Sequence, residues 1–237
     1  MLFRSAVPTS GSNIVQRMLL AMKAGLGFKG ARNYYDVFGY PIVLTPNDLL
    51  AKYVRQDLAQ RIVNMPPEST WAYSPTLTEN EAVAALWKEL VDTRQLLAAI
   101  LQADKLCCFD QFSVIWLGMA GNTESPAPKI RKASDIKYIT AYGAGAVRID
   151  AYEQDTSSER FGQPLFYTIS IERQGSATVT KKVHWTRCVH IVDLPVQGKL
   201  FSIPRLEPVY NLLADIMKIA GASAETYWLA ANRGMQV

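Results

Sequence analysis

The stretch "KKVHWTRCVHIVD", residues 181–193, holds both histidines of the chain and one of its three cysteines. Imidazole and thiolate are the side chains that ligate zinc, attack carbonyls or carry protons near neutral pH. The spacing tests each chemistry. Read as part of one strand over 178–192, the segment places His184, Thr186, Cys188 and His190 on one face, with His184 and His190 about 20 Å apart. Two ligands that far apart cannot hold one ion. Cys188 and His190 alone make half a zinc site, and a complete one would need Cys107 or Cys108. No metal is expected. The opposite face carries Val183, Trp185, Arg187, Val189 and Ile191 and is expected to be the buried one.

Nucleophilic chemistry fares no better. Arg187 is the sole cation near Cys188 in sequence, and strand alternation turns it away from the thiol. His184-Trp185-Thr186 fits the H-x-T of two-histidine phosphodiesterases, which need two such motifs for base and acid. The second histidine reads His190-Ile191-Val192 and lacks the hydroxyl. The segment is therefore read as non-catalytic, with no cofactor.

Another chemical motif lies in "GLGFKG", Gly25 to Gly30, a match to G-x-G-x-x-G. That pattern cradles pyrophosphate between a strand and a helix. Here "SNIVQRMLLAMKAG" precedes it and reads as a helix, with Ser12 as cap and Gly25 as stop. The glycines then form a hinge. No G-x-x-x-x-G-K-[ST] loop occurs.

The elements that must position these residues follow from periodicity. "TPND" caps a helix over 46–64 with Leu50, Val54, Leu58 and Ile62 as its apolar stripe, and Pro66-Pro67 end it. "TENE", from Thr78, caps a second helix running to Asp104, with Val83, Leu86, Leu90, Leu97 and Leu101 on its stripe and Trp87 as a core aromatic. "FSVIWLGM" (112–119) reads as a buried strand, "GNTESPAPK" (121–129) as a loop. Strands follow at 136–142, 147–152, 165–172 and 178–192. A long helix closes the chain, with Pro208 near its start and Gly234 at its end. Helices, then strands, then a helix make an α+β fold.

Charge divides the chain. Residues 1–35 contain Arg4, Arg17, Lys23, Lys29 and Arg32 and no acid, whereas the remainder has 20 basic and 21 acidic residues. This basic arm, bounded at residue 44, suits packing on a neighbouring subunit, contact with a phosphate backbone, or a transit peptide. Ordering against a neighbouring subunit is the expectation. Three cysteines without a framework point to free thiols in a reducing compartment. No apolar run approaches the roughly 20 residues that span a bilayer.

Five segments carry a resemblance. "DLAQRIVNMPPESTW" (57–71), "FDQFSVIWLGM" (109–119), "RFGQPLFYTIS" (160–170), "VHWTRCVHI" (183–191) and "LEPVYNLLADIMKIAGASAETYW" (206–228) resemble, in this order, phage portal proteins of Mu-like and related prophages. The resemblance implies a portal-like wing with N-terminal helices and mixed or antiparallel strands. It divides the chain into a helical wing part (45–134), a β-rich wing or clip-like part (135–204) and a stem-like helix (205–237). It also implies a non-enzymatic ring, a dodecamer in similar portals, at the capsid vertex for DNA packaging and ejection. The partners would be the terminase large subunit, the major capsid or scaffold protein, a head–tail adaptor and double-stranded DNA held non-specifically, with no membrane. The location would be the virion, and the host cytoplasm during assembly. Trp185, Arg187, His184 and His190 are then structural or interface residues. Ala220, Gly221 and Ala224 would allow close helix approach in the ring or within one chain. Similar portals continue beyond the position matching Val237 into a tunnel loop and crown, so a truncated or partial chain is expected. The alternative is the N-terminal module of a phage counter-defence phosphodiesterase without its catalytic part. A small Cys/His enzyme is the third reading.

Overall fold

The computed structural model describes residues 33–77, 80–173, 176–196 and 198–233. The hinge at Gly25–Gly30 and the cap at Ser12 lie outside the described residues. The chain divides after Leu44 into two units. In the first, α1 (Tyr34–Phe38) is capped by the Asn33 side chain and stopped by Gly39 at φ 68°.

The second unit opens with α2 (Pro46–Arg55). Thr45 and Asp48 cap it reciprocally: the Asp48 N–H donates to Thr45 Oγ1, and the Thr45 N–H donates to the Asp48 carboxylate. The sequence predicts one helix over 46–64, but Gln56 adopts extended backbone and breaks it. A second helix, α3 (Asp57–Thr70), follows. The predicted stripe is not the buried face: Leu50, Val54 and Leu58 are exposed, while Leu49, Ala59, Val63 and Pro67 are buried. An i, i+4 stripe counted across a break no longer marks one face.

Pro66 and Pro67 do not end α3. They occupy its last turn, closed by the Trp71 N–H on the Pro67 carbonyl. Two contacts hold that turn to a later helix: Lys105 to Glu68 at 2.8 Å and Trp71 Nε1 to Asp104 at 3.1 Å. The second predicted helix also splits, into α4 (Glu81–Arg94) and α5 (Leu96–Leu106), at Gln95 with φ 52°. The Thr78 cap lies outside the described residues, and Asn80 caps α4 through Ala82 and Val83. Trp87 is half-buried, not core, and α4 buries no residue fully.

Among the described residues six strands form two antiparallel sheets: β1 (Ser113–Met119), β2 (Ile136–Gly143), β3 (Val147–Tyr152), β4 (Pro164–Arg173), β5 (Ser176–His184) and β6 (Cys188–Ile191). The first sheet is ordered β2-β1-β6 and the second β3-β4-β5. Phe112, Val114 and Trp116 join Val147, Tyr167, Ile169 and Val183 in one buried cluster between the sheets. On the other face of the first sheet, Ile115 and Ala141 pack on Ala103 of α5. Strand β1 is thus covered on both sides, which is why it reads as a continuous apolar run. Gly118 passes so close to the Tyr138 ring that a Cβ would overlap it.

The chain closes with α6 (Tyr210–Arg233), where Leu213 is buried and residues 216–231 are exposed. No helix among the described residues is long and apolar enough to cross a membrane. The fold is α+β.

Candidate functional site

The predicted strand over 178–192 is two strands in different sheets. Between them Trp185–Arg187 form a 3₁₀ turn, so the chain leaves β4's partner β5 and re-enters beside β1 as β6. The single-face alternation from His184 to His190, and the spacing based on it, are therefore corrected. The opposite face is not uniformly buried either. Val183 and Arg187 are buried, Trp185 is half-buried, and Val189 is 47% exposed. A 3₁₀ turn has three residues per turn and destroys the period of two.

Each side chain of the turn has a bonding task. The His184 Nδ1 caps it, accepting from the Thr186 N–H at 3.4 Å and lying 2.9 Å from the Thr186 hydroxyl. That hydroxyl also accepts from the Ala127 N–H at 2.7 Å, so it donates to the imidazole. The His184 N–H donates to the Thr123 carbonyl. Arg187 reaches the same loop: Nε donates to Ser125 O at 2.9 Å, Nη1 to Met119 O at 3.3 Å and Nη2 to Ala120 O at 3.2 Å. Arg187 is 2% exposed, and its guanidinium meets carbonyl dipoles rather than a carboxylate. Desolvating a cation is tolerated only when its donors are this well used. The turn is a clamp on residues 119–127.

Trp185 lies under the Arg160 guanidinium, 3.4 Å from its carbon, and Arg160 Nη2 donates to Pro164 O. His190 faces the inter-sheet core. Its Nε2 is 2.9 Å from Leu200 O, and a carbonyl can only accept, so Nε2 carries the proton. The Tyr167 hydroxyl then donates to Nδ1 at 3.3 Å, and Phe112 stacks on the ring at 4.9 Å. Burial pushes the Cys188 thiol up to about 12 and raises Cys107 and Cys108 as well, the latter also to about 12. Thiols held protonated are poor nucleophiles. Among the described residues no three metal-ligating side chains converge.

Ala220, Gly221 and Ala224 are exposed on α6, far along the chain from the clamp, and a Cβ at Gly221 would meet nothing. Sequence reasoning missed two groups. Arg160 was seen only as part of a segment, and its role needs the fold. Arg205 pairs with Asp193 through Nη2 at 2.7 Å and Nε at 3.0 Å, and approaches Asp104 at 3.9 Å. The carbonyls that receive Arg187 carry no side-chain signal at all.

The histidine bonding gives a pH dependence. Burial holds both imidazoles below the ordinary range, and Arg160 and Arg187 add to the effect at His184. Groups with depressed pKa values lend stability that is complete above their unfolded value, about 6.5, and is lost as pH falls through the lower folded values. The denaturant midpoint should hold steady down to about pH 6.5 and then fall, before carboxylates titrate. Replacing both rings, His184→Asn with His190→Gln, should flatten that segment of the profile. An unchanged slope in the double variant would assign it elsewhere.

Comparison with curated proteins gives no match. A family model described as phage portal protein matches residues 47–237, from α2 through both sheets and α6. The match takes in the clamp, the inter-sheet core and the closing helix together, and the chain belongs to the phage portal protein family.

Proposed function

We propose that this protein is a structural subunit of a portal ring at the capsid vertex, the passage for DNA packaging and ejection. The family match supports a portal-type structural role in the phage particle. The observation that carries the ring is α6. Its 24 residues extend about 36 Å. Beyond Leu213 its side chains find little cover among the described residues: Ile219 is 68%, Tyr227 77% and Trp228 65% exposed. Large apolar groups left in water along a helix mark a surface that something else covers. Equivalent helices of neighbouring copies would cover it, with Ala220, Gly221 and Ala224 letting backbones approach. Such a contact is heterologous, and it makes a pore when its rotation closes.

In this reading residues 45–134 and 135–204 form the wing and 205–237 a stem-like helix beside the channel. The basic arm, residues 1–44, packs on a neighbour. The body is near neutral, which suits a channel that lets duplex DNA slide, because tight phosphate binding would hold it. The terminase large subunit, the capsid or scaffold protein and a head–tail adaptor are the partners of such a ring. Trp185, Arg187, His184 and His190 serve it by holding the 119–127 loop and the inter-sheet core.

Light scattering on the purified chain tests this. The expected mass is a multiple of 26.4 kDa, and Trp228→Lys with Tyr227→Lys should reduce it to one copy. A wild-type mass of a single chain at every concentration would count against the ring.

A further inference from the structure

The strongest feature outside the clamp is a concavity of about 540 Å³ between α2 and α6, lined by Asp48, Lys52, Arg55, Gln56, Tyr210 and Met217. Gln56 sits at its base with 6% exposure. Its amide orientation is fixed, because Nε2 donates to the Leu213 carbonyl at 3.0 Å. Oε1 is therefore an acceptor, and among the described residues it has no donor. A buried acceptor left without a donor is a standing cost that an incoming N–H would remove.

The charges around it are one-sided. Lys52 lies over the Tyr210 ring at 4.9 Å, where burial and the Lys218 charge both act against its ammonium. Arg55 has no acidic partner among the described residues. The one acid, Asp48, is engaged by the Thr45 N–H at 2.9 Å and hydroxyl at 2.7 Å. The apolar part of the lining is Ala51 on α2 and Met217, half exposed, on α6.

We infer that this groove is a docking site for an acidic segment of a partner protein. A carboxylate meets Lys52 and Arg55, a backbone N–H donates to Gln56 Oε1, and apolar side chains cover Met217 and Ala51. A free phosphate would neutralise the cations and leave the apolar walls wet.

The test uses the full chain and a fluorescein-labelled peptide of about 12 residues, roughly 18 Å as a helix, built from Glu and Leu. Anisotropy should show saturable binding that weakens about tenfold or more in Lys52→Glu, Arg55→Glu and Gln56→Leu. Arg61→Glu, an exposed cation on α3 outside the groove, should leave it unchanged, as should circular dichroism of all four variants. The Gln-for-Glu peptide should bind about tenfold more weakly. Equal losses from Arg61→Glu would reduce the effect to diffuse charge. No binding, no effect of Gln56→Leu, or duplex DNA binding with the same residue dependence would overturn the assignment.

Discussion

Arg187→Met is expected to lower the unfolding free energy by about 3–5 kcal/mol. Methionine replaces much of the aliphatic stem, so the loss isolates the guanidinium. Three carbonyls, on Met119, Ala120 and Ser125, then lose their donors. Each buried group left unsatisfied costs about 1–3 kcal/mol, less where water reaches it. Arg187→Lys should recover only part of this, because an ammonium cannot fork to three acceptors set around a planar group. Lys181→Met, on the exposed surface of β5, should stay within about 0.5 kcal/mol. Denaturant titration reads the stability, and proteolysis within residues 119–127 reads the loop. If Arg187→Met matches the Lys181 control in both, the clamp contributes nothing.

Trp116→Ala comes next, at about 3–5 kcal/mol. Trp116 is 4% exposed and belongs to the cluster shared by both sheets, with Tyr138 edge-on at 5.2 Å. Two sheets held by their own ladders cannot collapse into the space it leaves, so transfer and cavity costs add. Trp185→Ala should cost clearly less, about 1–3 kcal/mol, because that ring is half-buried and the Arg160 guanidinium lies over one face. Equal losses at the two tryptophans would mean that the shared cluster is not the main core.

The strands were legible wherever local chemistry agreed with the fold. Residues 136–142 and 147–152 alternate between turn residues, and both are strands. The α+β class followed from the order of such elements. The helix breaks were not legible. Gln56 and Gln95 are ordinary helix formers, so propensity does not mark the breaks; Gln56 is extended where its side chain bonds the distant Leu213 carbonyl, and Gln95 takes φ 52°. The histidine segment failed for a related reason. Val, Trp, Thr and Cys at 183–188 all favour strands, and the turn is paid for by contacts to residues 119–127, distant in sequence. The types of the site residues could be read, but not their bonds, since their partners are mostly main-chain carbonyls.

The order of the strands sets an order of assembly. The meander β3-β4-β5 pairs neighbours in sequence, so its ladders close short loops. Pairing β6 with β1 must instead close a loop of roughly 70 residues, and such long-range contacts form slowly. Arg187 and His190 both belong to this late-arriving piece. Until β6 docks, residues 119–127 have no guanidinium to receive their carbonyls. During synthesis and refolding that loop is thus among the last parts of the unit to become fixed, and substitutions at Arg187 should accelerate unfolding far more than they slow folding.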